Sequence, residues 1–205
     1  MNGLLLKDWI SLRRALLGIA GMLVVCTILF VPLGVSSLAF LIPAALVVLL
    51  PVHAMSLDVV GRWERYALAL PLSRREILAA RYQFSLLCLG AVALFCGAAA
   101  VVSVMVLHGF DLIGVSPLIW WAGCIGVALL MLDMLLAVFF VYRVNVGILL
   151  FLVLCLTPPL VVYVRDLLTP EVISSIALVT AAAGLLGLWV SWRVALRAFE
   201  RWDVV

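Results

Sequence analysis

Leu118-Ile-Trp-Trp-Ala-Gly-Cys-Ile-Gly-Val-Ala-Leu-Leu-Met-Leu-Asp133-Met-Leu-Leu-Ala-Val-Phe-Phe-Val-Tyr142 carries one ionisable side chain, Asp133, in an otherwise apolar run. About 20 such residues in helical form cross the hydrocarbon core of a bilayer, so this stretch reads as a membrane span. Working outward, similar runs lie near Ala15–Val35, Leu38–Leu57, Phe84–Leu107, Val146–Val164 and Ile173–Trp192. The expected fold is all-α: a polytopic membrane bundle of six transmembrane helices. Composition agrees, with 68% apolar and 11% charged residues and a mean hydropathy of +1.38, where a soluble chain is roughly a quarter charged. No polar half stands apart, so residues 1–205 read as one domain. The run after Met1–Arg14 has no small-residue cleavage site and reads as a first span, not a signal peptide.

Charge placement sets the orientation. Of thirteen Lys and Arg, twelve fall before span one, between spans two and three, between four and five, or after span six. Only Arg165 falls on the other side. Basic residues in short loops mark the cytoplasmic side, so both termini are expected in the cytoplasm of a cell-membrane protein. The seven tryptophans sit near span ends or amphipathic flanks, as interfacial anchors do. Gly34–Ser37 joins the first two spans as a tight hairpin.

Enzymatic chemistry finds no footing. A nucleotide-binding P-loop needs GxxxxGK[ST], and the only lysine is Lys7. HExxH is absent. The five cysteines (Cys26, Cys88, Cys96, Cys124, Cys155) form no CxxC pair, and His53 and His108 are too far apart for a metal cluster. No catalytic, cofactor or metal residue is expected. Energy for any driven process therefore comes from a partner.

The segment Asp58–Arg81 is the most informative. Val59, Trp63, Tyr66, Ala67 and Leu70 fall on one helical face, with Asp58, Arg62 and Arg65 on another, which suits a surface helix ended by Pro71. Ser73-Arg-Arg-Glu76 then fits a capping box opening the helix into span three. Arg74 and Arg75 oppose the macrodipole of that helix. One reading has them hold anionic lipid or enforce topology; the other makes the elbow a docking surface for a cytosolic subunit. Leu4–Arg14, with Leu4, Leu5, Trp9 and Leu12 alternating against Lys7, Asp8 and Arg13, also suits the membrane surface.

The pattern Asp58…Arg62-Trp63-Glu64-Arg65-Tyr66…Leu70-Pro71-Leu72-Ser73-Arg74-Arg75-Glu76-Ile77…Arg81-Tyr82 resembles the linker between spans two and three of ABC type-2 permeases. The likeness is to the small bacterial group of bacitracin-resistance and antimicrobial-peptide export permeases. Gly3-Leu-Leu-Leu-Lys7-Asp8-Trp9 resembles that group's start, and Ser191-Trp-Arg-Val-Ala195…Phe199-Glu-Arg-Trp-Asp203 its ending. Ala195 stands where a second Ser is often found, and Arg81 where Lys is more usual. The resemblance implies a six-span exporter permease that pairs with a second permease copy, sits among membrane lipids and binds two ATP-binding subunits; no nucleic acid partner is expected. It also implies that the helix 62–70 and the Ser73 elbow form a coupling segment (58–82), that 1–14 is a cytoplasmic amphipathic helix and that 193–205 is a cytoplasmic tail. The coupling residues would be Arg62, Trp63, Glu64, Ser73, Arg74, Arg75 and Glu76.

Inside the spans, Asp133 and His53 lie at matched depth and could meet, either as a packing tie or in a translocation path. Thr157-Pro158-Pro159 interrupts span five; Pro158 and Pro159 either kink it or, as the resemblance implies, lead into a re-entrant element through Leu168. Two other functions stay open: the ligand-capture subunit of an energy-coupling-factor importer, and a membrane assembly protein without transport. The minimal outer loops and elaborate inner segment favour the exporter.

Overall fold

The structure, a computed structural model, describes residues 2–31, 36–61, 63, 73–106, 116–154 and 169–200. Five helices account for nearly all of them: α1 (Asn2–Phe30), α2 (Ser36–Val60), α3 (Arg74–Val106), α4 (Pro117–Leu154) and α5 (Pro170–Glu200). Each is long and apolar enough to cross a membrane. Their starts obey local chemistry. Ser116 and Thr169 stand before Pro117 and Pro170, and their carbonyls accept the Ile119 and Ile173 amides at 2.9 and 3.1 Å. A hydroxyl residue followed by proline suits the first turn, whose amides have no intrahelical partner.

α2 is the core helix, packed by α1, α3 and α4. Ala39, Phe40, Ala44, Val47, Val48 and Leu50 are almost wholly buried. It keeps Pro43 and Pro51 within its length, which a bilayer tolerates where neighbouring helices enclose the interrupted backbone. α1 and α5 are the opposite case, with most of their apolar side chains turned outward. A water-soluble protein could not present so much apolar surface; lipid can cover it.

The largest interface joins α4 to α5. A β-carbon built on Gly126 would stand 2.5 Å from the Ala181 nitrogen, and one on Gly184 would stand 2.8 Å from the Leu129 β-carbon. Gly123 meets Ala177, and Gly187 meets Asp133. Small residues let the two backbones touch, the usual device of membrane helix pairs. The partner numbers rise together along both helices. α4 and α5 therefore run parallel. The glycine pair Gly18/Gly21, equally suggestive in sequence, has nothing near it.

Two expectations change here. The anticipated link at Arg143 between spans four and five is absent, because α4 continues to Leu154 as one helix of 38 residues. Arg143, Asn145 and Gly147 together resemble a loop, but no proline intervenes before Pro158 and the long apolar helix carries through the weak helix formers. The described residues thus hold five membrane-capable helices where six were expected. The expected surface helix 1–14 is likewise the first part of α1 with no break before the span. The rest of the anticipated fifth span, with Pro158, Pro159 and the proposed re-entrant element, lies outside the described residues.

Candidate functional site

Asp8 and Asp58 are buried at the end of the bundle that gathers the basic residues, 3% and 7% exposed. Carboxylates removed from water cost several kcal/mol unless matched by cations, and each is matched. Lys7 Nζ donates to Asp58 Oδ1 at 2.5 Å and lies 3.4 Å from Asp8 Oδ1. Arg81 Nη1 donates to Asp8 Oδ2 at 2.7 Å, and its Nη2 pairs with Asp58 Oδ2. Two cations and two anions from α1, α2 and α3 form one neutral cluster. Arg81 serves both acids because a guanidinium aims separate nitrogens along a rigid fork. The lysine more usual at this position in the resembling group would offer one ammonium instead.

Lys7 also stands 4.3 Å from the centroid of the Trp63 ring, within cation–π range. The segment leaving α2 is therefore fastened to α1. At the other end of that segment the capping box forms as expected. The Glu76 amide donates to Ser73 Oγ at 3.3 Å, while Glu76 Oε2 accepts from the Ser73 amide and hydroxyl, both at 2.8 Å. Those two donors, the amide first, hold the exposed Glu76 carboxyl below the usual carboxylate range.

Arg74 is turned away from its own helix. Its Nη1 donates to the carbonyls of Phe199 and Glu200 at 3.0 and 2.8 Å, two of the acceptors that a helix C-terminus leaves without partners. A cation unfavourable at the start of α3 thus serves the negative end of α5. Arg75 points outward and stays exposed. Of the seven coupling residues expected from sequence, Trp63, Ser73, Arg74 and Glu76 are engaged within the chain, Arg75 is exposed, and Arg62 and Glu64 lie outside the described residues.

A family model described as "ABC-2 family transporter protein" matches residues 3–200. The chain belongs to that family. It is a multi-pass membrane protein and an ABC transporter permease. No match is found among curated proteins or among solved structures.

Deeper in the permease, Asp133 is 3% exposed and wedged against Gly187. Neither of its carboxyl oxygens has a hydrogen-bond partner. His53 lies exposed on α2. Their matched depth thus does not bring them together, because His53 turns outward while Asp133 turns into the α4–α5 seam. Sequence reading placed Lys7 and Asp8 on a surface-facing polar stripe and missed the cluster. The available signal was the placement of two acids and two cations at the same ends of three neighbouring spans. Cys26, Cys88 and Cys96 are buried free thiols, Cys124 is buried, and Cys155 lies outside the described residues.

Proposed function

We propose that this permease forms the translocation path of an ATP-driven exporter, with residues 1–205 as its single membrane domain. It resides in the cytoplasmic membrane with both termini inside, pairs with a second permease copy and is driven by two cytosolic ATP-binding subunits. The observation that carries this reading is the anchoring of the residues that flank the segment 64–72: Trp63 is held to α1 through Lys7, Ser73 to α3 through the capping box and Arg74 to α5. A push on that segment reaches three helices at once, as coupling to a separate motor requires. Among the described residues of the elbow, the exposed Arg75 is a charge left for a partner.

Six crossings fit this reading. Parallel α4 and α5 require the chain between them to return to the side where α4 begins, which adds one crossing to the five helices described. Family membership counts against the ligand-capture alternative.

The test is affinity purification of the tagged permease from its native membrane, followed by identification of what comes with it. An ATP-binding subunit in equal number is the expected result. Its absence under conditions that preserve the permease would overturn the coupling reading. Impermeant thiol labelling from outside, on a cysteine-free background, should reach position 111 and not position 75.

A further inference from the structure

Arg81 and Tyr82 are consecutive on α3, about 100° apart around a helix, and they serve different halves of the bundle. Arg81 is held by Asp8 of α1 and Asp58 of α2. Tyr82 turns to α5, with its hydroxyl 2.6 Å from Ser191 Oγ and its ring edge-on to Trp192 at 5.2 Å. Ser191 donates in turn to the Asp133 carbonyl of α4 at 2.8 Å. A serine has one hydroxyl proton; it is given to Asp133, so Tyr82 is the donor to Ser191. The result is a directed chain, α3 to α5 to α4, with Tyr82, Ser191 and Asp133 all buried.

This chain matters because α3 and α5 share little packing, whereas α4 and α5 share the largest interface of the molecule. The α4–α5 pair is packed backbone against backbone. Further along, α4 packs directly on α3, with Trp121 Nε1 donating to the Ala93 carbonyl at 2.8 Å; near the start of α3 the links to α5 are polar, Tyr82 within the bundle and Arg74 at its end. Both belong to the first turns of α3, directly after the segment proposed to receive the motor.

We propose that Tyr82 is the positioning residue that carries movement of the start of α3 into the α4–α5 pair, while Arg81 ties the same turn to α1 and α2. The inference rests on the coupling reading given above. Arg74 holds only the last carbonyls of α5; Tyr82 grips it a little over two turns earlier, where Ser191 passes the link on to α4.

The experiment uses the permease together with its copurified ATP-binding subunit in lipid nanodiscs. Spin labels replace the exposed Leu178 of α5 and Leu29 of α1, both at the end away from the basic residues, after the native cysteines are removed. A second pair reports on the exposed Gln83 of α3 relative to position 29. Distances are measured without nucleotide and with ATP. Wild type is expected to shift at both pairs. In Tyr82→Phe, which keeps the ring on Trp192 and removes the hydroxyl, the 178–29 pair should lose most of its shift while the 83–29 pair keeps its own and ATP is still hydrolysed. Ser191→Ala should behave in the same way, and Ser191→Thr, which restores a hydroxyl, should recover the shift. An unchanged 178–29 response in both Tyr82→Phe and Ser191→Ala, with the subunit bound and hydrolysing, overturns this inference alone. A wild-type permease that brings no ATP-binding subunit overturns the coupling reading, and this inference with it.

Discussion

Lys7 and Asp58 are separated by 51 residues in sequence, and their side chains meet at 2.5 Å with Arg81 closing the other side of the acid. The start of α1 and the end of α2 are thereby locked together. Removing one member of a buried ion pair is more damaging than removing both, since the remaining charge stays without a match.

Arg81→Ala should therefore cost about 3–5 kcal/mol, the range for breaking a buried pair, because it leaves two buried carboxylates to share Lys7 alone. Lys7→Ala, at a more accessible cation, should cost less. In a double-mutant cycle, Lys7→Ala with Asp58→Ala should lose less stability than the two single losses added. Thermal unfolding in detergent measures each variant. Additive losses would mean that Lys7 and Asp58 do not interact.

Gly126→Ala and Gly18→Ala should part company. A methyl at 126 meets the Ala181 backbone, whereas one at 18 meets nothing within 4 Å. The first should destabilise by about 1–3 kcal/mol, as overpacked sites do. The second should be neutral or gain up to ~1 kcal/mol from helix propensity. Equal unfolding temperatures for the two would contradict the backbone contact between α4 and α5.

The two arginines of the elbow also divide. Arg74→Glu should fray the end of α5, seen as faster amide hydrogen exchange near Phe199, because two carbonyls lose their donor and meet a negative charge instead. Arg75→Glu should leave exchange unchanged and weaken retention of the ATP-binding subunit in a pull-down. Ser73→Ala should cost about 0.5–2 kcal/mol of cap energy and speed exchange in the first turn of α3. The assignment of roles would be reversed if Arg75→Glu frayed α5 and Arg74→Glu did not.

His53→Asn and Asp133→Asn should be additive in stability, since the exposed imidazole and the buried carboxyl share no contact. A coupling energy of 0.5 kcal/mol or more, the scale for residues in contact, would show that they interact after all.

The span signal, the capping box and the basic face were legible because each is local: run length, a four-residue spacing and charge count suffice. The sequence also contained the glycines of the α4–α5 seam, but Gly18/Gly21 on α1 looks the same on paper and remains open. Pairing is a property of two helices and cannot be read from one. Arg74 illustrates the same limit. Its conflict with the α3 dipole was visible in sequence, while its resolution at Phe199, 125 residues away, was not. The extension of α4 through Arg143 was misread because a charge followed by Asn145 and Gly147 resembles a loop, although single weak helix formers are tolerated inside a long apolar helix.

Parallel packing of α4 and α5 has a consequence for how the chain is assembled. Antiparallel neighbours such as α1 and α2 can enter a membrane together as a hairpin and cover each other at once. α4 can pair with α3 in this way, through Trp121 and Ala93, but not with the partner of its largest interface. Its seam, with Gly123 and Gly126 bare and Asp133 lacking the wall of Gly187, stays open until α5 has been made. The principal interface of this permease is thus formed last, by its final helix.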